Sequence, residues 1–138
     1  MYCFWTGEKQ LGSTKGVLNT EAGFMGGREV VKVTYNPEIT NDKTLTSFAK
    51  QHKMAPIKKD NSYRPSAKDE DYYLQHSNYK YIPLTPLQRT KINTALGNRK
   101  PATQYLSPKQ LKWFNNQTNK KVIFVADFRE AWNMKVAR

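Results

Sequence analysis

The sequence predicts a mixed domain, α/β (α+β), rather than a helical bundle. Three observations carry this. Short β-branched runs alternate with segments that bear helix start signals. A length of 138 residues supports one modest core but not two. Aromatic residues make up 12 % of the chain, unlike disordered segments, and no apolar stretch reaches the ~18–20 residues of a membrane span.

The elements follow in chain order. Tyr2-Cys3-Phe4-Trp5 opens aromatic, and Thr6 is a predicted N-cap whose hydroxyl accepts from the free N–H groups of a first turn. Gly12 and Gly16 hold that helix to a turn or two. Val17 to Gly27 reads as a short extended stretch ending in a glycine turn. Glu29-Val30-Val31-Lys32-Val33-Thr34-Tyr35 is β-branched and partly alternating, the clearest strand of the first half, and Asn36-Pro37 stops it. Thr40 or Asn41 caps a helix with Leu45, Phe48 and Ala49 on one face. From Lys53 to Asp71 the chain is polar, contains Pro56 and Pro65, and reads as loop. Thr85-Pro86-Leu87-Gln88 and Ser107-Pro108-Lys109-Gln110 each put a hydroxyl at N-cap, Pro at N1 and Gln at N3. The first of these helices should present Leu87, Ile92 and Leu96 and close with Gly97 at C′; the second should present Leu111 and Phe114. Lys121 to Ala126 is a final predicted strand.

Charge is uneven. The formal net charge is +12. Met1 to Asp71 holds 11 basic and 9 acidic residues, whereas Tyr72 to Ala126 holds 9 basic residues and no acid. A field of this sign either solvates the surface or attracts phosphates, nucleic acid or an acidic partner. The histidines, His52 and His76, share no metal-ligand spacing, so neither a metal nor another cofactor is called for.

The single cysteine, Cys3, rules out an internal disulfide and a Cys-cluster zinc site. It precedes a predicted helix start. There it reads either as a small buried apolar residue or as a nucleophile, since a thiolate is stabilised by helix N–H groups and the macrodipole.

Cys3-Phe4-Trp5, Gly16-Val17, Thr20, Gly23-Phe24 and Gly26-Gly27 are similar, without a gap, to the signature block of the peptide methionine sulfoxide reductase A family, G-C-F-W-G, P-G-V, T, G-Y-x-G-G. Glu29 to Pro37 resembles that family's H-A-E-V-V-x-V-x-Y-D-P strand, Ile39 to Phe48 its following helix, and Pro83-Leu84-Thr85-Pro86 its P-L-T-P. The resemblance implies a two-layer ferredoxin-like sandwich over 1–119, with 120–138 a strand and helix that pack on it or begin a truncated second module. It implies that Cys3 attacks the sulfur of methionine S-sulfoxide and becomes a sulfenic acid. Glu29 falls on the family's acid, which must arrive protonated. Phe4 and Trp5 match the residues around the substrate methyl. Tyr79, or Tyr81, matches a tyrosine that donates to the sulfoxide oxygen, and Asp69 or Asp71 stands for an upstream aspartate.

The chain also departs from that pattern. The family places well over a dozen residues, including an oxygen-binding tyrosine, between the glycine turn and the glutamate; here Arg28 alone intervenes. Tyr72, Tyr73 or Tyr81 must then substitute. The D-H-G-T-Q-Y loop is replaced by Asp71 to Tyr79. Only Met1 and Tyr2 precede Cys3, so either the chain is clipped or another strand, Val122 to Phe128, fills the place of the family's leading strand. With no resolving cysteine, the sulfenic acid must be reduced by an external thiol, a thioredoxin-like protein or glutathione. Ile123 to Trp132 is similar to the strand entering a thioredoxin active site, without its two cysteines.

The expected function is therefore thiol-dependent reduction of methionine S-sulfoxide, free or peptide-bound, in the cytoplasm unless an export signal has been clipped, with no membrane partner. Two rivals stand beside it. One is an inactive relative that binds a protein partner. The other is a basic nucleic-acid module using Lys80, Arg89, Lys91, Arg99, Lys100, Lys109 and Lys112, ranked last because no nucleic-acid motif is present.

Overall fold

Two adjacent glycines set the centre of the fold. In the computed structural model, which describes residues 3–57, 62–116 and 128–134, Gly26 and Gly27 take φ of 58° and 77°. That pair of left-handed residues is what a two-residue type I′ hairpin needs. It joins β1 (Val17–Met25) to β2 (Arg28–Tyr35), which pair antiparallel from Met25 opposite Arg28 onward, with a register shift between Val17 and Asn19. The predicted extended stretch and strand are thus the two arms of one hairpin. On the far side of β1 lies β3 (Arg64–Pro65), which gives the order β2-β1-β3. The segment expected to be loop therefore contributes a short edge.

Helix α1 (Phe4–Gly12) packs on β1 and against α4 (Pro86–Gly97). It starts earlier than predicted: Cys3, not Thr6, is the N-cap. The reason is tertiary. The Phe4 N–H donates to Glu29 Oε1 at 3.1 Å, so a carboxylate from β2 supplies the cap.

The helix runs nine residues, and its last, Gly12, stands at the α4 crossing. A Cβ there would lie 2.2 Å from Thr94 Oγ1 and 3.2 Å from Thr90 Cγ2. Gly12→Ala should therefore destabilise by about 1–3 kcal/mol through overpacking, beyond what its helix propensity returns. Thr94 Oγ1 is buried without a hydrogen-bond partner, so Thr94→Ala should recover most of that loss. A urea double-mutant cycle measures the coupling.

Asn41, rather than Thr40, caps α2 (Asp42–Gln51) by accepting the Thr44 N–H at 2.8 Å. A short α3 (Tyr72–Gln75) and a 3-10 turn (Asn78–Tyr81) lead to α4. Both predicted capping boxes form, at the starts of α4 and of α5 (Pro108–Asn115). Their N3 glutamines also meet each other. Gln88 Nε2 donates to Gln110 Oε1 at 2.8 Å, and Gln110 Nε2 reaches the carbonyls of Pro83 and Ala131. The second of these carbonyls belongs to α6 (Phe128–Asn133), which rests on the start of α5, where Ser107 Oγ donates to the Trp132 carbonyl at 2.7 Å.

Two readings of α4 need correction. Leu87 is 43 % exposed, because the turn that holds it buries Gln88 instead. Gly97 is the last helical residue rather than C′, and Arg99 takes the left-handed φ of 57°. Leu74, Tyr79, Ile82, Leu84, Ile92, Ala95, Ala102 and Leu106 make the main apolar cluster.

The architecture is α+β, a small antiparallel sheet with helices packed on it. Among the described residues no helix is long and apolar enough to cross a membrane. The predicted strand Lys121 to Ala126 lies outside the described residues.

Candidate active site

Cys3 has extended backbone, φ −158° and ψ 119°, as an N-cap requires, and its carbonyl accepts the first helical bond from the Gly7 N–H at 3.0 Å. The thiol is free and partly buried. Hairpin register sets Glu29 opposite Phe24, so both side chains leave the sheet on one face. That face meets the start of α1: Glu29 accepts from the Phe4 N–H, and the Phe4 and Phe24 rings meet edge to face with centroids 5.4 Å apart. A carboxylate is thereby held at the residue following the thiol. Glu29 also lines a cavity of about 660 Å³ between β2 and α2, walled by Val31, Val33, Leu45 and Ala49.

Trp5 is gripped from two sides. Its ring stacks on Tyr72 with centroids 3.7 Å apart at 16°, and its indole N–H donates to Asp69 Oδ1 at 3.3 Å. Asp69 Oδ2 in turn accepts from Ser66 Oγ at 2.6 Å. This separates the two aspartates left open by the sequence: Asp69 faces Trp5, whereas Asp71 is buried and ion-paired with Arg89 at 3.2 Å. Cys3, Phe4, Trp5 and Glu29 thus gather around one helix start. Tyr79 lies in the main apolar cluster, 7 % exposed, with its ring stacked on Phe114. Of the tyrosines, Tyr72 adjoins the Trp5 wall.

A group that sequence reasoning passed over lies beneath. Phe4, Glu8 and Leu11 share the buried face of α1. That i, i+4, i+7 spacing was a legible signal of a carboxyl placed in a core stripe. Glu8 is fully buried; it accepts from Thr20 Oγ1 at 2.8 Å and from the Asp71 N–H at 3.1 Å. Burial, and then the charge of Asp71, push Glu8 up to about 9. Burial and Asp71 likewise push Glu70 up to about 7.

No protein-family model matches the chain, and no solved structure matches it. Curated relatives do. Peptide methionine sulfoxide reductase MsrA of Methanococcus maripaludis strain C5 is 41 % identical over 65 aligned positions, which cover 35 % of this chain and 41 % of that protein. The MsrA proteins of strains C7 and C6 are 37 % and 36 % identical over 70 positions, covering 38 % of this chain and 45 % of theirs. The chain thus spans less than half the length of the relatives it matches. Since 35 % of 138 residues is about 48, roughly 17 of the 65 aligned positions have no residue here. Over the segment they share, the chain is a divergent relative of the peptide methionine sulfoxide reductases MsrA.

Proposed function

We propose that the chain reduces methionine S-sulfoxide, free or peptide-bound, through Cys3. The observation that supports this most directly is the Phe4 N–H to Glu29 hydrogen bond, which keeps a carboxyl beside the thiol-bearing residue. The Cys3 sulfur attacks the sulfoxide sulfur while Glu29 protonates the oxygen. The S–O bond breaks as the hydroxyl passes to the Cys3 sulfur, and the transient S–S bond breaks with its electron pair going to methionine. The sulfoxide is reduced by two electrons and leaves as methionine. Cys3 is oxidised to a sulfenic acid that carries the oxygen. Two equivalents of an external thiol then return Cys3 to the thiol, with release of a disulfide and water. An external donor is needed because the chain holds one cysteine. Trp5 offers an aromatic face to the polarised S-methyl group, Asp69 and Tyr72 keep Trp5 in place, and Phe4, buried against Phe24, backs the site.

The relatives' names carry the same reaction class, while the roughly 17 absent positions favour the alternative of an inactive relative that binds a protein partner. One assay decides. With dithiothreitol as reductant, the folded protein is expected to turn over a peptide methionine S-sulfoxide and to spare the R epimer. Absence of thiol-dependent turnover would remove the catalytic reading and leave the binding one.

A further inference from the structure

We propose that Glu8 is a positioning residue for this site: by tying Thr20 of β1 to the backbone of Asp71, it fixes the corner at residues 69–72 whose Asp69 and Tyr72 hold the Trp5 indole. The inference rests on the reading of Trp5 as a wall of the substrate pocket.

The corner is short and bent. The Ser66 carbonyl accepts from both the Asp69 and the Glu70 N–H at 3.1 Å. Asp71 then takes φ 50° and ψ 50°, a left-handed conformation disfavoured for residues with a Cβ, though less so for Asp than for most. Two constraints act on it. Its N–H donates to Glu8 Oε1 at 3.1 Å, and its carboxylate receives Arg89 Nε at 3.2 Å. The next residue is Tyr72, the first of α3, whose ring lies on Trp5. Trp5 and Glu8 stand three residues apart on α1, so a single turn of helix presents the indole and anchors the corner that grips it. Without the Glu8 carboxyl, the Asp71 N–H is buried with no acceptor, and Thr20 loses its partner as well.

The protonation state fits this role. Glu8, pushed up to about 9, holds its proton at neutral pH. Asp71 Oδ1 is buried without a hydrogen-bond partner, so a proton retained on the neighbouring Glu8 spares the corner a second buried negative charge. The titratable and charged groups facing this pair are Glu70 of the corner, Arg89 of α4 and Tyr63 ahead of β3, with Glu21 of β1 beyond them against Glu70 and Tyr63. When Glu8 ionises, two carboxylates share one Arg89. Because its folded value lies above the ordinary 4.5, the stabilisation from protonated Glu8 is full below about 4.5 and lost as pH rises to about 9.

The test uses the full chain with Trp113→Phe and Trp132→Phe, so that Trp5 is the sole tryptophan reporter. Glu8→Ala should raise acrylamide quenching of Trp5 at least about twofold as the corner opens. It should raise KM for the sulfoxide peptide about tenfold with kcat changed less than about threefold. Glu8→Gln, which is neutral and isosteric, should restore both. In the otherwise native chain, quenching should rise with a midpoint near pH 9, and in Glu8→Gln it should stay flat. A folded Glu8→Ala protein with unchanged quenching overturns the proposal. If Glu8→Ala does not fold, a Glu8→Gln protein that follows the same pH curve as the parent overturns it instead. A parent protein inert toward sulfoxide removes the reductase reading alone, since the quenching comparison stands without activity.

Discussion

Replacing Cys3 with serine is expected to lower methionine release by at least about 10⁴-fold, the scale of removing a covalent nucleophile, with the fold intact. The argument turns on what Cys3 does structurally. It is an N-cap with extended backbone, but its side chain makes no capping hydrogen bond, and Glu29 satisfies the Phe4 N–H from outside the helix. Serine is among the preferred N-cap residues, so the start of α1 should be as stable as before, within about 0.5 kcal/mol by urea denaturation. An alcohol cannot take up the sulfoxide oxygen as a sulfenic acid. Single-turnover release of methionine reads the chemistry, and trapping of a sulfenic acid on the parent protein by a carbon nucleophile reads the intermediate. Turnover by Cys3→Ser at the parental rate would show that the sulfur of Cys3 takes no part.

Much of the fold was legible because its signals are local. Thr85-Pro86-Leu87-Gln88 and Ser107-Pro108-Lys109-Gln110 carry their caps within four residues, and both form as read. Gly26-Gly27 turns a hairpin by its own φ preferences, and it closes where the MsrA resemblance puts a long insertion. What escaped the sequence reading is long-range. Thr6 loses the cap to Cys3 because a carboxylate 25 residues away reaches Phe4. The choice between Asp69 and Asp71 depends on which of two aspartates two residues apart faces α1, and a left-handed Asp71 decides that. Glu8 shares the i, i+4, i+7 stripe of α1 with Phe4 and Leu11, but the corner it anchors lies 63 residues later and has no local signal. Of the candidate site, the residues fixed by one helix start and one hairpin could be named in advance. The walls supplied by residues 66–72 could not be ordered, because nothing in that polar stretch shows which side chains turn inward.

Glu29→Gln is expected to slow methionine release by about 10²–10⁴-fold, the usual range for loss of a positioned general acid, while substrate affinity stays nearly unchanged. Glutamine keeps a carbonyl oxygen where Glu29 Oε1 now accepts from Phe4, so the helix start and the Phe4–Phe24 contact should persist. What it lacks is the proton for the departing oxygen. Glu29→Ala removes both functions, and it should also cost about 1 kcal/mol of stability, as loss of an N-cap acceptor does. Comparing the two variants separates the roles. If Glu29 only caps α1, Glu29→Gln will match the parent in rate and only Glu29→Ala will suffer, chiefly in its denaturation midpoint. If Glu29 delivers the proton, Glu29→Gln will be slow yet fully stable. Its residual reaction must then draw the proton from solvent, so its rate should climb as pH falls over a range where the parent's is less responsive. That dependence, measured under single-turnover conditions so that thiol recycling does not intervene, distinguishes an acid in the reaction from a carboxylate that merely holds Cys3's helix in place.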